Sequence, residues 1–151
     1  QDQGNFRFVT TTPGAPNAMS IMFNMNHPDP DRRAIFGNKD FRIGMSHAIN
    51  RQEVIDIVFQ GEGTPHQVAP RPESDLYSEK MATQYIEYDP DLANEYLDKV
   101  GLDKKDNQGY RLMPSGERLV ILFEIDAEHP RSPGIQAPYC ACADLVYRLV
   151  V

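Results

Sequence analysis

Ser46 and His47 are adjacent in the sequence, and Asp40 precedes them by less than two helical turns. Serine, histidine and aspartate are the residue types of a hydrolase triad, in which a base takes the proton of a nucleophilic hydroxyl. Adjacent positions on a helix point about 100° apart, so Ser46 and His47 are poorly placed to exchange a proton. The sequence therefore predicts that the protein is not an enzyme and that His47 is an ordinary helix-surface or half-buried residue.

Two further groups of residues resemble metal sites. Oxygen ligands cluster before Gly109, as in a calcium loop, at Asp103, Asp106 and Asn107. The spacing differs from that of a calcium loop and no closing glutamate stands in place, so we predict a solvated turn.

A soft-metal site is the other possibility, with Cys140, Cys142 and His129 as ligands. No second ligand pair stands at a zinc spacing, and small buried apolar side chains explain the cysteines better. We predict no metal and no cofactor.

Composition excludes several partner classes. The chain has 151 residues, of which 40% are hydrophobic and 25% charged, and its net charge of −7 disfavours binding to nucleic acid or to an anionic membrane surface. No apolar run approaches the roughly 20 residues of a membrane span, and the N-terminus has no signal-peptide pattern. Because the chain begins at Gln1 rather than at methionine, we expect it to be processed or cut from a longer protein.

Residues 1–28 predict a pair of strands leading into the domain. Phe6–Thr12 and Met19–Asn26 alternate with a period of two. In the second strand Phe23 shares one face with apolar residues, while Asn24 and Asn26 lie on the other, which is either exposed or lines a site. The next segment, 27–31, predicts a turn because it contains two prolines.

Residues 29–101 predict a helical region. Asn38 is a good N-cap for a helix ending near Asn50, and Asn50 can cap a second helix that Gly61 and Gly63 end. The proline-rich segment 64–74 predicts an irregular loop. Asp89-Pro90 gives a clear helix start, and Gly101 ends that helix.

Residues 102–126 predict a hairpin, and residues 127–151 a divergent tail with a terminal helix. The hairpin turns at Pro114-Ser115-Gly116, before an apolar strand at Leu119–Ile125. A buried strand and a crossover helix normally lead to a further parallel strand. We therefore expect one partial domain, 1–151, of mixed α+β class, with an incomplete sheet flanked by helices.

The order of the motifs resembles the extracellular solute-binding proteins of the oligopeptide and dipeptide importers, family 5. The resemblance is carried by Asn38 to Arg51, by Glu53 to Gly61, by Tyr88-Asp89-Pro90, by Gly101-Leu102, and by the segments Gly109 to Arg111 and Pro114 to Gly116. It extends from about Phe6 to about Ile125.

The resemblance implies part of one lobe of a two-lobed, periplasmic-binding-protein-like fold. It implies capture of a peptide or another small solute for an ABC permease in the membrane, in the periplasm or tethered to lipid outside the cell, with the remainder of the binding protein as a further partner. Candidate ligand-binding residues are Phe23, Asn24, Asn26, Gly61 and Gly63. For the asparagines, hydrogen bonding to neighbouring backbone is an equal alternative. The alternative functions are a non-transport interaction module on the same fold and a hydrolase.

Overall fold

The structure, a computed structural model, describes Val9 and residues 20–122. Five α-helices lie within these residues: α1 (Pro30–Gly37), α2 (Lys39–His47), α3 (Arg51–Val58), α4 (Glu79–Thr83) and α5 (Pro90–Lys99). The first predicted strand, apart from Val9, lies outside the described residues, as do the tail predicted over 127–151 and its cysteines.

Helix α1 begins inside the segment that the sequence predicts as a turn. The Asp29 side chain accepts hydrogen bonds from the backbone N–H groups of Asp31 (2.9 Å) and Arg32 (3.3 Å), and Pro30 is the first helical residue. Proline is tolerated there because the first N–H groups of a helix have no intrahelical acceptor. The predicted turn is therefore wrong from Pro30 onward, whereas the expectation of helix after it is confirmed.

Asparagine side chains begin α2 and α3, as predicted. Asn38 Oδ1 accepts from the Asp40 N–H at 2.8 Å, and Asn50 Oδ1 accepts from the Glu53 N–H at 3.2 Å. The Asn50 amide also donates to the Glu53 carboxylate at 3.1 Å. Both caps are confirmed, although α2 ends at His47, earlier than the predicted Asn50.

The segment between α3 and α5 is mostly irregular. Residues 64–74 contain neither helix nor strand, which confirms the predicted loop. The short helix α4 comes next along the chain, and the sequence does not predict it because five residues are too few to show a periodic apolar stripe.

Helix α5 packs closely against α2. It begins as predicted, with Asp89 Oδ1 accepting from the Leu92 N–H at 2.9 Å, and ends before Gly101, whose φ of 84° suits glycine. At Gly44 of α2, a Cβ would lie 3.0 Å from the carbonyl oxygen of Ala93. Glycine therefore allows the two helices to approach each other at this point.

The core joins α1, α2, α5 and the segment after α5. Its buried members are Ile35, Phe36, Phe41, Met45, Leu97, Leu102 and Met113. Five half-buried side chains pack against it, namely Phe23, Ile49, Val100, Leu119 and Ile121. The core consequently draws together the two ends of the described segment, and α3, the following loop and α4 contribute no residue to it.

Two antiparallel bridges lie in the segment predicted as a hairpin, whose residues 123–126 are outside the described residues. Lys105 pairs with Arg111, and Leu112 pairs with Arg118 around the Pro114 turn. The turn at 114–116 is confirmed by the Gly116 N–H, which donates to the Met113 carbonyl at 2.8 Å. The first bridge has no counterpart in the sequence prediction.

The predicted sheet is not found within residues 20–122, whose regular secondary structure is helical apart from two isolated bridges. Met25 and Asn26 form a turn, so the strand predicted over Met19–Asn26 does not reach its predicted end. A strand requires a neighbour that supplies its ladder hydrogen bonds. Among the described residues no backbone hydrogen bond pairs 20–24 with another segment.

Candidate functional site

Asn24 and Asn26 lie on an exposed turn that leads into α1. Asn24 Oδ1 accepts from the Asn26 N–H at 3.0 Å, and the Asn24 carbonyl accepts from the His27 N–H at 3.3 Å. Asn24 therefore satisfies neighbouring backbone, as one of the two predicted alternatives requires. Both side chains are exposed, and no hydrogen bond among the described residues engages the Asn26 carboxamide. The turn therefore presents amide groups that can both donate and accept.

Phe23 anchors this turn to the core. Its ring centroid lies 5.2 Å from that of Phe41, in an edge-to-face arrangement, and 5.6 Å from that of Phe36. The ring is half-buried and packs beside the core cluster. Its observed contacts position the asparagines, since ring packing of this kind fixes the chain that carries them.

Gly61 and Gly63 lie on the exposed turn that ends α3. The Gly61 N–H donates to the Ile55 carbonyl at 3.1 Å, and Gly61 has a φ of 81°. A Cβ at Gly61 would meet nothing within 4 Å, whereas one at Gly63 would contact Ile55 at 3.8 Å. Gly61 is thus required by backbone conformation and the space beside it is open. Gln60 also has a positive φ, 54°, which the sequence does not signal.

The two groups of candidate residues are separate in their contacts. Within residues 20–122, no observed hydrogen bond or ring contact joins the Asn24 turn to the Gly61 turn. Each group is nevertheless fixed to a scaffold, the first through Phe23 and the second through the end of α3.

Ser46 is the centre of a polar cluster, although the sequence marks it only as a candidate nucleophile. Its hydroxyl donates to the Tyr85 carbonyl at 2.7 Å and accepts from Arg51 Nη2 at 2.7 Å and from Gln67 Nε2 at 2.9 Å. The single proton of the hydroxyl is therefore committed to a carbonyl. Four segments of the chain meet at this one oxygen.

His47 is buried, with 4% of its surface exposed, so its predicted placement as a helix-surface or half-buried residue is wrong. Its Nδ1 donates to the Glu87 carbonyl at 3.0 Å. The ring stacks on Tyr96 at 6.1 Å and meets the edge of Tyr85 at 6.0 Å. The apolar-stripe pattern does not reveal this burial because the side chains that contact the ring, Tyr85 and Tyr96, come from a later part of the chain.

The triad is not assembled. Asp40 lies in the first turn of α2 and His47 is its last residue, a separation of about 10 Å along the axis at 1.5 Å per residue. His47 Nδ1 and the Ser46 hydroxyl both face backbone carbonyls instead of one another. Hydrolysis by these residues is therefore not supported.

Arg111 is the other buried polar centre, and it is 3% exposed. Its guanidinium contacts Asp98 at 2.5 Å, Asn94 Oδ1 at 2.6 Å and the carbonyl of Leu102. Its Nε is buried without a hydrogen-bond partner in the described part of the chain. These contacts attach the bridged segment after α5 to the end of that helix.

Asp106 closes the turn that resembles a calcium loop. Burial raises the pKa of its carboxyl, but the N–H groups of Gln108 and Tyr110 and the guanidinium of Arg118 outweigh that effect, so the pKa lies below its usual value. Backbone donors thus occupy this carboxylate. No group of three potential metal ligands occurs in the described residues.

At the start of α1, the N–H of Arg32 holds the pKa of Asp29 below its usual value, with the N–H of Asp31 and the Arg32 guanidinium adding to the effect. Asp29 is therefore a charged helix cap and belongs to the scaffold. Within residues 20–122, none of the helices has the length and apolar character needed to cross a membrane.

The predicted ligand-binding residues lie on turns of a packed helical scaffold, and the polar atoms of Ser46 and His47 bond to backbone carbonyls of that scaffold. The profile described as "Bacterial extracellular solute-binding proteins, family 5 Middle" matches residues 2–138. The chain therefore belongs to the family 5 extracellular solute-binding proteins, which confirms the resemblance found in the sequence.

Two known proteins are similar over much of the chain. A "Probable ABC transporter-binding protein" of Deinococcus radiodurans is 26% identical over 113 residues, which cover 74% of this chain and 18% of that protein. The solved structure of an "oligopeptide-binding protein OppA" is 38% identical with a TM-score of 0.61, and the match covers 64% of this chain and 15% of that one. The likeness to the latter confirms a periplasmic-binding-protein-like fold. The chain spans less than a fifth of the length of each relative.

Proposed function

We propose that this chain is part of the ligand-binding component of an ABC importer and that it captures peptides or similar small solutes. The observation that carries the proposal is the family match over residues 2–138. The peptide ligand is supported by the 38% identity to a protein named as oligopeptide-binding, and the importer by the relative named as ABC transporter-binding.

Binding proteins of this kind act by closing two lobes on a ligand, and they make or break no bond. Contacts to both lobes favour the closed form, so affinity depends on both walls. In this chain Asn24, Asn26, Gly61 and Gly63 are the residues proposed to face the ligand, with Phe23 fixing the first pair. Exposed amides and open backbone suit the main-chain groups of a peptide.

The proposed partners derive from this role. They are a membrane permease, which receives the closed form, and the remainder of a longer binding protein, which supplies the opposite wall. The proposed location is the periplasm, or the outer face of the membrane through a lipid tether. The charge of −7 argues against nucleic acid as a partner.

Extending the reading frame in both directions tests the proposal. We expect an upstream export signal, a sequence for the other lobe and a neighbouring permease gene. Finding none of these would refute the transport role.

Calorimetric titration of the complete polypeptide with a mixed pool of short peptides tests the ligand. We expect saturable binding, weakened about 5-fold by each of Asn24→Ala and Asn26→Ala if each amide supplies one hydrogen bond. Asn107→Ala, which removes an exposed asparagine from a different turn, is the matched control and should leave affinity unchanged. Equal affinity in all three variants would remove the asparagines from the site.

Titrating the isolated 151-residue chain with the same peptides tests the alternative that it is an independent interaction module. One wall retains only part of the contacts, so we expect much weaker binding than in the complete polypeptide. Equal affinity of the two would favour the independent module.

A further inference from the structure

The loop between α3 and α4 has little apolar anchoring. Between Phe59 and Ser78 the only buried residue is Ala69, which is 4% exposed. The hydrophobic effect scales with buried apolar area, and one alanine methyl provides little. Two large apolar side chains of the loop, Val68 and Leu76, are 63% and 77% exposed. The loop must therefore be held mainly by polar contacts.

Gln67 provides a concentrated set of such contacts. Its backbone N–H donates to the Ala82 carbonyl at 2.8 Å. Its side-chain Nε2 donates to Ser46 Oγ at 2.9 Å and to the Gln84 carbonyl at 2.9 Å, with the Tyr85 carbonyl farther away at 3.5 Å. An amide nitrogen has two hydrogens, so the two nearer acceptors use both.

The acceptors of Gln67 are themselves fixed. Ser46 lies in α2, which packs on α5 through Gly44, and its hydroxyl donates to the Tyr85 carbonyl. Tyr85 has a φ of 56°, a conformation that is unfavourable for a non-glycine residue and persists only when its surroundings impose it. The side chain of Gln67 therefore links the loop to α2 and to the segment that precedes α5, in addition to its backbone bond to Ala82.

We propose that Gln67 is a positioning residue for ligand binding, which holds the loop between α3 and α4 as a preformed wall of the site. This inference rests on the proposed function, because it assumes that the loop contacts the ligand. A wall that is already ordered saves the conformational entropy that binding would otherwise cost, so its anchor affects affinity without touching the ligand.

The test uses Gln67→Met in the complete binding protein, with Gln52→Met as the matched control. Methionine keeps the length and apolar stem of glutamine but has no donor. Gln52 is an exposed glutamine of α3 whose side chain donates to Asp56 at 2.9 Å. Amide hydrogen exchange is measured at Ser74 and Tyr77, whose N–H groups donate within the loop, and in α2 and α5. Peptide affinity is measured in parallel.

We expect Gln67→Met to raise exchange at Ser74 and Tyr77 about 5- to 30-fold, the factor for one or two lost neutral hydrogen bonds, and to weaken peptide binding by a similar factor. Exchange in α2 and α5 should not change, and Gln52→Met should change nothing. Unaltered loop exchange, or an equal rise in α2 and α5, would overturn the anchoring role.

Faster loop exchange with unchanged affinity would also overturn the proposal, because the loop would then be anchored but would not be a ligand wall. The proposed transport function would survive that result, since the protein would still bind peptide. Absence of peptide binding in the wild-type protein would instead refute the proposed function itself.

Discussion

Helix α2 approaches α5 at Gly44, and the change in stability on replacing this glycine has a sign that depends on two opposing energies. An added Cβ would lie 3.0 Å from the Ala93 carbonyl oxygen, 3.0 Å from Tyr96 Cβ and 3.4 Å from Leu97 Cγ. Non-bonded carbons are most stable about 3.5–4.0 Å apart, so Gly44→Ala must separate the helices by about 0.5 Å. Overpacking of this kind costs about 1–3 kcal/mol.

Helix propensity opposes that cost, because alanine is about 1 kcal/mol more favourable than glycine inside a helix. The contacting atoms at Ala93 and Tyr96 are a backbone oxygen and a Cβ, neither of which can move without its helix. We therefore expect a net destabilisation of about 1 kcal/mol, measured by urea unfolding. In a domain of this size that loss lowers the melting temperature by about 4 °C.

Gly37→Ala is the control, because a Cβ at this last residue of α1 would meet nothing within 4 Å. Alanine there gains part of the propensity without the contact, so we expect equal or slightly higher stability. If Gly44→Ala were as stable as Gly37→Ala, the helices would tolerate the added methyl and the reasoning about their approach would be refuted.

Three further perturbations test the polar scaffold. Ser46→Ala strands three hydrogen-bonding partners and should cost about 1–3 kcal/mol in urea unfolding, and wild-type stability would show that the cluster does not depend on the hydroxyl. Arg111→Met should lower the free energy of unfolding by about 2 kcal/mol. Asp98→Asn should lower it by less than about 1 kcal/mol, because the Asp98 side chain is 52% exposed, and equal losses in the two variants would contradict this. The lowered pKa of Asp106 contributes stability that is complete above its unfolded value of 3.8 and is lost as the pH falls through the lower folded value. Asp106→Asn should therefore reduce the acid dependence of unfolding below about pH 4, and an unchanged dependence would exclude that contribution.

Local capping chemistry allows the sequence to predict three helix starts correctly. Asn38, Asn50 and Asp89 each accept the backbone N–H that their position predicts. The same chemistry begins α1 at Asp29-Pro30, but the two prolines of 28–30 favour a turn when only the sequence is considered. Proline at the first helical position and proline in a turn differ only in the residues after them, and the apolar spacing of α1 is too short to distinguish the two.

Contacts between distant segments are beyond prediction from the sequence. The family match covers the motifs from which the sequence predicts the family. The described residues nevertheless contain no sheet, because a strand needs neighbouring strands, which a local sequence pattern does not specify. The burial of His47 depends on Tyr85 and Tyr96, and that of Arg111 on the end of α5. Nothing in the spacing around either residue specifies these partners.

The same limitation explains why residues that resemble a catalytic group are found to stabilise the fold. Ser46 and His47 are adjacent, and in an enzyme their polar atoms would have to converge on a substrate with capacity to spare. Here the serine proton is held by the Tyr85 carbonyl, and the Nδ1 proton of the histidine is held by the Glu87 carbonyl. The Ser46 hydroxyl bonds to three other segments of the chain, and moving it would break those hydrogen bonds. Its contribution is the fixed position of Gln67, and through it the fixed position of the loop.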